Sequence, residues 1–498
     1  MESDITSIQK AFASGELSSC SQLIGLFFDR IHAYENQVNA FVSISDSISE
    51  RVNFLDNMTF IEKSQHPLWC IPLVVKDNYN YVDHNMPTTA GSFSLRHSIA
   101  SKNAFVLNPL IRAGCVLIGK TNMPDFALNG AITNSSVSGL TRNTYDLERT
   151  TLGSSGGTAS AISASFGVIG LGSDTQGSIQ NPTSVQALVG LRTTQNLFPN
   201  DGIFPLVSFQ DSLGPMTRTV RDLAITMDIM DSSFPRPNII YQQTPSYQDM
   251  LKKDGLKGVR LGFLNSTFRA AKYRDPQLEK ISLQAVDRMR QLGAEIVVLD
   301  GFALISTMID GLNGLKINQC AYTQEVQTWS WYLNNETTPS SPIHSFHALL
   351  ESVQSDPHTS EDVKKTLTKI WDGSHDMPYT ATYQPSCKAM SEWKIAQSRA
   401  FANAMMKHDL DAFLYPSMMG PAAKFFDPVY LQFSYFSAYT GQPCIVFPTT
   451  FTTSTDPPMP MSMSILGQKW QDAKLVQYAY AYEYHYPSRK PPSRVPPL

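Results

Sequence analysis

Two serine- and glycine-rich runs and one lysine are the residues of this chain best suited to do chemistry. The first run is Gly153-Ser-Ser-Gly-Gly157 and the second is Asp174-Thr-Gln-Gly-Ser178, while Lys76 ends the apolar run Ile71-Pro-Leu-Val-Val75. A serine nucleophile needs a base, and a second hydroxyl can relay its proton because it both donates and accepts. The pattern therefore suggests covalent hydrolysis by two serines and a lysine, without histidine.

Ser178 is the candidate nucleophile because it stands beside Gly177 in a turn that follows an apolar stretch, 168–171. Such a turn can direct successive backbone N–H groups into one concavity, where they would stabilise an oxyanion. A glycine-rich loop with a solvated serine is the simpler interpretation of this turn when it is considered alone.

Lys76 is the candidate base because a lysine at the end of a buried strand loses hydration, which lowers its pKa. To accept protons near neutral pH, its pKa must fall from about 10.4 to roughly 7–8. Considered alone, Lys76 has a second interpretation, a structural ion pair with Asp77.

Ser154 and Ser155 lie between glycines, which permit unusual backbone angles and close approach of neighbouring segments. Ser154 is the candidate relay between the base and the nucleophile. With Ser155 at its centre, the same run also fits the G-x-S-x-G elbow of α/β-hydrolases. That elbow should directly follow a strand, and residues 143–151 are polar and loop-like, so the elbow interpretation is disfavoured.

Hydrophobic periodicity predicts the elements that must position these residues. Helices and strands alternate along much of the chain, which predicts an α/β fold: one large α/β/α domain with a mixed central sheet flanked by helices. Helices are predicted at 5–34 (two, with Ser18 or Ser19 capping the second), 104–113, 158–166 and 278–292, and strands at 71–75, 116–118, 259–264 and 295–299.

The organisation along the chain is predicted as four parts of one structural domain. These are N-terminal helices at 1–65, the core with the catalytic residues at 66–230, an α/β and helical cap region contributing to the substrate pocket at 231–420, and a C-terminal part at 421–498. The aromatic stretch Tyr322–Tyr332 is interpreted as core packing, with a pocket cap as the alternative. The proline-rich residues 485–498 are predicted to form a loose tail.

Composition excludes several function classes. The 498 residues carry a net charge of −4 and no basic stripe, so nucleic acid is not an expected partner. Charged residues make up only 16%, against roughly 25% in typical domains, which fits a large core. No apolar run approaches the roughly 18 residues that a membrane span needs.

The cysteines and the N-terminal residues predict a cytoplasmic protein. The six cysteines are scattered without a CxxC pair, which is interpreted as reduced, mostly buried thiols. Residues 1–5 lack the charged and apolar regions of a signal peptide. The ten histidines show no paired metal-binding spacing, so no metal and no cofactor is expected.

Considered together, these motifs make the chain recognisable: it resembles the amidase signature family, from about residue 5 to about 485. The order and spacing of the matching segments are specific. They are Pro72-Leu-Val-Val-Lys-Asp77, Met86-Pro-Thr-Thr-Ala-Gly-Ser92, Ala113-Gly-Cys-Val-Leu-Ile-Gly-Lys-Thr-Asn-Met123, Gly153-Ser-Ser-Gly-Gly157, Gly172-Ser-Asp-Thr-Gln-Gly-Ser-Ile179, Val189-Gly-Leu-Arg-Thr193, Asp211-Ser-Leu-Gly-Pro-Met-Thr-Arg218 and Tyr439-Thr-Gly-Gln-Pro443.

The resemblance implies a Ser–cis-Ser–Lys triad, with a cis peptide bond before its bridging serine. The roles it implies are nucleophile for Ser178, bridge for Ser154 and base for Lys76; an oxyanion hole of the backbone N–H groups of Thr175, Gln176, Gly177 and Ser178; support from Ser155 and Asp174; and a substrate pocket lined by Ala127, Leu128 and Asn129.

Three positions depart from the family pattern. The family commonly has Gly-Gly-Ser-Ser, and Leu152 replaces the first of these glycines. Gln176 replaces the first glycine of the family's Thr-Gly-Gly-Ser in the oxyanion turn. Gln180 stands where the family carries an arginine, so an ion pair to a buried acid such as Asp174 is expected to be lost. A modest change in the electrostatics of the site is expected, with the triad retained.

The resemblance implies a serine amidohydrolase that acts on a small-molecule amide with an apolar acyl part. An acyltransferase or amide-forming enzyme that uses the same acyl-enzyme is an open alternative, as is a catalytically weak scaffold. Membership of a tRNA amidotransferase complex is disfavoured because no partner-binding feature is evident. A homodimer is compatible with the family.

Overall fold

The computed structural model describes residues 2–46, 48–82, 86–232, 245–265, 274–301, 317–375, 383–430 and 434–498. Side chains are described for the same residues except 317–319, 375 and 383–386. Part of the predicted cap region, 231–420, therefore lies outside the described residues.

The described residues form an eleven-stranded mixed sheet and a small two-stranded one, β4 with β5. The strands are β1 (Phe41–Ile44), β2 (Pro72–Lys76), β3 (Val116–Thr121), β4 (Asn134–Ser135), β5 (Gly139–Leu140), β6 (Ile169–Asp174), β7 (Val189–Arg192), β8 (Ser212–Thr217), β9 (Arg260–Leu264), β10 (Glu295–Leu299), β11 (Ala412–Pro416), β12 (Cys444–Phe451) and β13 (Pro460–Leu466).

The large sheet has the order β1-β3-β2-β6-β8-β7-β12-β13-β11-β9-β10. β2 pairs parallel with both β3 and β6, and β9 pairs parallel with β10 and β11. The strands between these two parallel groups pair antiparallel. The sheet is therefore mixed, and the predicted single α/β domain is confirmed.

Helices flank this sheet, because its strands are apolar on both faces and need cover on both sides. Helical bounds are α1 (Ile5–Ser14), α2 (Cys20–Val38), α3 (Ile48–Asp56), α4 (Phe60–Ser64), α5 (Leu107–Arg112), α6 (Gly156–Ser163), α7 (Gln180–Val185), α8 (Val220–Asp231), α9 (Leu278–Gln291), α10 (Ile317–Asn335), α11 (Phe346–Ser355), α12 (Glu361–His375), α13 (Tyr383–Lys407), α14 (Tyr435–Thr440) and α15 (Asp472–His485). No helix in these described parts is long and apolar enough to cross a membrane.

Local sequence explains where α2 begins and ends. The Ser19 hydroxyl accepts a hydrogen bond from the Gln22 N–H, which satisfies a donor that the first turn leaves free. Asn39, at φ 53°, ends the helix in the left-handed conformation that asparagine tolerates. The capping prediction at 18–19 is thereby resolved to Ser19.

The aromatic stretch on α10 packs as core in part: Trp329 and Tyr332 are buried, as the simpler interpretation predicts, whereas Trp331 is 55% exposed. The Trp329 side chain is fully buried, and its ring lies 5.2 Å from that of Phe126 and 5.0 Å from that of Phe204. Phe346 of α11 joins the same cluster. This second core attaches the helical layer α10–α12 to the segments around residues 126 and 204, which matter for the site described below.

The interpretation of all six cysteines as reduced thiols is wrong. Disulfides join Cys20 to Cys70 and Cys320 to Cys387, with Cα–Cα distances of 5.5 and 5.1 Å, while Cys115 and Cys444 are free and buried. The pairs are 50 and 67 residues apart, so sequence spacing could not reveal them. Since structural disulfides favour oxidising compartments, the cysteines no longer support a cytosolic location.

The prediction of a loose C-terminal tail is also wrong. The Arg30 guanidinium donates hydrogen bonds to the carbonyls of Val495 and Pro496, and the Val495 side chain is buried. Arg489 donates to the Glu2 carboxylate and to the Ala187 carbonyl. The tail has no sheet or helix partner here, so its backbone carbonyls accept from Arg30 and its own Arg489 donates to groups of the core.

Candidate active site

Strand pairing brings Lys76 to Ser173. β2 and β6 are parallel neighbours, with Val75 opposite Leu171, so the ends of both strands meet at the same edge of the sheet. Lys76 ends β2, and its Nζ lies 2.9 Å from Oγ of Ser173 and 3.3 Å from the Ser173 carbonyl oxygen. Residues that are distant in sequence thus meet because of the sheet topology.

The Lys76 ammonium group is completely buried and lies 2.7 Å from Oγ of Ser154. Burial lowers the pKa of Lys76 to about 7, although the Asp174 and Asp211 carboxylates oppose the shift. A substantial neutral fraction is therefore present at neutral pH. The alternative of an ion pair with Asp77 does not form, because the Asp77 carboxylate instead accepts from the Gly91 N–H and the Thr89 hydroxyl.

The Gly153–Ser154 peptide bond is cis, as the resemblance implies. Ser155, the next residue, precedes α6, is fully buried, and its hydroxyl donates to the Ser173 carbonyl over 3.2 Å. No strand directly precedes this run, and Ser155 does not line the cavity described below, so the α/β-hydrolase elbow interpretation is not supported.

Asp174 organises the turn that carries Ser178. One carboxylate oxygen accepts from the Gly177 N–H over 2.7 Å, and the other accepts from the N–H groups of Ile179 and Gln180 over 2.9 and 3.2 Å. Gly177 has φ 105°, and a Cβ there would collide with the Ser434 hydroxyl, so the turn requires glycine.

Three of the four predicted oxyanion donors are available. In the described part of the chain, the backbone N–H groups of Thr175, Gln176 and Ser178 donate to no other residue, whereas the Gly177 N–H is held by Asp174. Ser178 is 8% exposed and lines a cavity. The turn therefore presents unpaired donors beside an accessible hydroxyl, which is the arrangement an oxyanion needs.

The expected loss of an ion pair at Asp174 is wrong, because a different arginine supplies it. Arg192, at the end of β7, places Nη1 2.7 Å from Asp174 Oδ1, with both side chains fully buried. Burial alone would raise the pKa of Asp174, but the Arg192 charge and the hydrogen bonds from Gly177 and Ile179 lower it. Gln180 adds a hydrogen bond of 3.2 Å from Nε2 to the same carboxylate.

The other two departures from the family pattern are accommodated. Leu152 has φ 56°, a left-handed conformation that glycine adopts more readily, and its buried side chain packs with Val185 and Met418. Gln176 does not have a positive φ, and its side-chain amide donates to the Tyr439 hydroxyl over 2.8 Å. The backbone N–H of Gln176 itself donates to no described residue.

A cavity of about 640 Å³ lies against this turn, within the range of small-molecule sites. Ala127 and Leu128 line it, as predicted, together with Thr175, Gln176 and Ser178. Asn129 does not: its Oδ1 accepts from the N–H groups of Ala131 and Ile132, and it lines a neighbouring cavity of about 190 Å³.

Several residues of the cavity were missed by sequence reasoning. Asp211 lies in a segment that matches the family but was assigned no role, although its carboxylate accepts from the Thr175 hydroxyl over 2.5 Å beside the oxyanion turn. Asp211 itself does not line the cavity, and the lining residues that were missed carry no signal in the sequence that could have identified them. They are Gly130, Ala131, Leu206, Val207, Gln210, Glu325, Val429, Tyr430, Ser434 and Tyr435.

The described residues contain no cluster of three or more histidine, cysteine or acidic side chains arranged to hold a metal ion.

Arg192→Met should destabilise the fold by about 3–5 kcal/mol, because it leaves the Asp174 charge buried without its partner. Arg290→Met is the matched control: its pair with Asp287 has side chains 45% and 62% exposed, so the loss should stay below about 1 kcal/mol. Urea unfolding of both variants measures the difference. Equal, small losses would contradict a structural role for the buried pair.

Known proteins resemble this chain along nearly its whole length. A family model described as Amidase matches residues 22–476. Among curated proteins, a glutamyl-tRNA(Gln) amidotransferase subunit of Methanosarcina barkeri is 27% identical over 492 residues, which cover 95% of this chain and 96% of that protein.

Solved structures share the fold. The native peptide amidase from Stenotrophomonas maltophilia superposes with a TM-score of 0.82 at 24% identity, covering 99% of this chain and 98% of that one. The corresponding glutamyl-tRNA(Gln) amidotransferase subunit from Thermotoga maritima superposes with a TM-score of 0.68 at 24% identity, covering 95% and 94%. At these identities the likeness speaks for the fold alone.

Proposed function

Because this chain belongs to the amidase family, we propose that it cleaves the C–N bond of a small-molecule amide through an acyl-enzyme on Ser178. The observation that carries the proposal is the buried contact of 2.7 Å between Lys76 Nζ and Ser154 Oγ. It lies at the strand edge where the 175–178 turn carries its unpaired N–H groups. A lysine with a pKa of about 7 is suited to accept a proton near neutral pH.

In the first step, neutral Lys76 takes a proton from Ser154 while Ser154 takes the proton of Ser178. The freed electron pair of Ser178 Oγ forms a bond to the amide carbon. The C=O π electrons move onto oxygen, where the N–H groups of Thr175, Gln176 and Ser178 stabilise the charge.

In the second step, the tetrahedral intermediate collapses and the C–N bond breaks. The leaving nitrogen receives the proton that Lys76 stored, again through Ser154, so an amine departs and an acyl ester remains on Ser178. Lys76, neutral again, then takes a proton from water through Ser154 while the water oxygen bonds to the ester carbon. The C–O bond to Ser178 breaks, Ser178 Oγ regains the proton, and the acid departs. Amide nitrogen is a poor leaving group until it is protonated, which is what this relay supplies.

The named amidotransferase relatives favour a second candidate, in which the acyl-enzyme or the released nitrogen passes to another acceptor. The Methanosarcina barkeri relative belongs to an amidotransferase, and its similarity extends over nearly the whole chain. The two candidates share the acylation step and differ in what happens after the C–N bond breaks.

A fluorophosphonate tests acylation directly. We expect peptide mapping by mass spectrometry to find one adduct on Ser178, and to find none in Lys76→Met, because the variant cannot withdraw the serine proton. An unlabelled Ser178 in folded wild-type protein would refute the proposal, and labelling at Ser155 instead would revive the elbow interpretation.

The fate of the acyl group separates the two candidates. With a simple primary amide, hydrolysis should release ammonia and acid in equal amounts. Added hydroxylamine should divert part of the acyl-enzyme to a hydroxamate. Hydroxamate without acid would favour transfer as the main reaction.

A further inference from the structure

One acidic side chain in the cavity has no use in the proposed mechanism. Glu325 of α10 lines the same cavity as Ser178 and is only 7% exposed. Its Oε2 is buried without a hydrogen-bond partner, and no described residue donates to either of its carboxylate oxygens. Native proteins rarely leave a buried carboxylate unsatisfied, so the group points to something absent from the free protein.

The described part of the cavity wall offers Glu325 no counter-charge. None of the described residues that line the cavity is a lysine, an arginine or a histidine. Asp211 is close enough to add a like charge, and burial together with that charge raises the pKa of Glu325 to about 7. The cavity therefore contains an acid whose ionised form lacks a partner among these residues.

Asp211 cannot serve as the open acceptor in place of Glu325. Its Oδ1 accepts from the Thr175 hydroxyl and the Val207 N–H, and its Oδ2 accepts from the Leu206 N–H. These bonds fix Asp211 to the loop at 206–211 and to the oxyanion turn. Of these two carboxylates, Glu325 is therefore the one that can accept a hydrogen bond from a ligand.

The rest of the cavity suits a short apolar chain that ends in a cation. Leu128, Leu206 and Val429 supply aliphatic surface. Tyr430 and Tyr435 add aromatic rings, whose faces attract a cation. The volume of about 640 Å³ accommodates such a ligand together with the amide group at Ser178.

We infer that Glu325 makes this pocket selective for amides that carry a protonated amine, whose ammonium group pairs with the Glu325 carboxylate while the amide lies at Ser178. The inference rests on the proposed function for the identity of the amide as substrate, but the ammonium site itself does not require turnover. A cation would supply the hydrogen bonds and the charge that the buried carboxylate lacks.

Binding of a minimal probe tests the site without catalysis. At about pH 8, where an alkylamine is protonated, isothermal titration should find n-hexylammonium bound at least about tenfold more tightly than 1-hexanol. Glu325→Gln keeps the size of the side chain and should abolish that preference. Glu361→Gln, an exposed glutamate on α12, should preserve it.

Kinetics with matched substrates tests the same site during turnover. The kcat/KM for 6-aminohexanamide should exceed that for heptanamide by about tenfold, and Glu325→Gln should bring the ratio near one. Equal binding of ammonium and alcohol by the wild-type protein, or a preference that survives in Glu325→Gln, would overturn the inference. Labelling of Ser178 by the fluorophosphonate together with no ammonium preference would support the proposed function and overturn the ammonium site. An ammonium preference without labelling would support the ammonium site and overturn the proposed function.

Discussion

Replacing Ser178 by alanine should lower kcat/KM for amide cleavage by roughly 10⁴- to 10⁶-fold, as the loss of a covalent nucleophile does in other serine hydrolases. The expected reason is that the other hydroxyl of the 175–178 turn that lines the cavity, that of Thr175, already donates to the Asp211 carboxylate. Only the rate provided by binding and by the backbone N–H donors should remain. Steady-state kinetics on a primary amide, with ammonia detected, measures the loss.

Ser155→Ala is the matched control for this variant. Ser155 carries the same functional group, but its hydroxyl is buried and donates to the Ser173 carbonyl. Its removal should cost about tenfold, the value of one neutral hydrogen bond. If Ser178→Ala kept more than about 1% of the wild-type rate, or if Ser155→Ala lost as much as Ser178→Ala, the assignment of the nucleophile would fail.

Lys76→Met should lower kcat/KM by roughly 10²- to 10⁴-fold, the usual contribution of a general base. Methionine fills the same buried space without a basic nitrogen, so packing around Ser154 and Ser173 is preserved. The binding of a competitive inhibitor should change little, because Lys76 does not line the cavity. The expected signature is a fall in kcat with a nearly constant inhibition constant.

The pH dependence of the wild-type protein should carry the same residue's signature. Below a pH of about 7, Lys76 is protonated and cannot accept a proton, so kcat/KM for a neutral amide should rise about tenfold per pH unit. Above that pH the lysine is neutral and the rate should level off. The direction follows from burial, which lowers the pKa of an ammonium group.

Lys394→Met separates this interpretation from one rival, titration of a second buried lysine. Burial and the Arg192 charge lower the pKa of Lys394 to about 7 as well, but Lys394 lines a different cavity and bonds to Gln195. Its replacement should leave the pH midpoint of kcat/KM in place. If the pH midpoint moved in Lys394→Met, the titration would belong to Lys394, and the assignment of Lys76 as the base would be wrong.

The proposed relay also explains why a stable fold tolerates a costly residue. A buried ammonium group lowers stability unless it is neutral or paired, and Lys76 is held instead by hydroxyl and carbonyl oxygens of Ser154 and Ser173. Arg192 and Asp174 form a separate buried pair behind the turn. The charges of Arg192 and Asp174 therefore neutralise each other, and Lys76 remains free to titrate.

Much of the architecture could be read from the chain itself. Apolar runs at 71–75 and 116–118 predicted β2 and β3, and the helix–glycine–strand pattern at 278–299 predicted α9 and β10. These predictions succeeded because the burial of a strand or a helix face leaves a periodic record in the sequence. The family resemblance depended on the same local runs.

Contacts between residues that are far apart in the sequence leave no such periodic pattern. Gln180 was expected to cost Asp174 its ion pair, but β7 and β6 both adjoin β8, so Arg192 reaches the carboxylate across the sheet. The disulfide between Cys20 and Cys70 likewise depends on where α2 packs, not on spacing. A side chain's partners across a sheet are set by strand order, which no local window contains.

By itself, the sequence determined the α/β class, the family and the glycine-flanked serines, since each depends on residues close together in the chain. The tertiary structure decided that Lys76 meets Ser154, that Asn129 turns away from the cavity, and that Glu325 of a distant helix faces it. The physical reason is that pKa, charge pairing and pocket shape depend on which side chains are neighbours in space. That neighbourhood is a property of the packed sheet and its helices, not of any single segment.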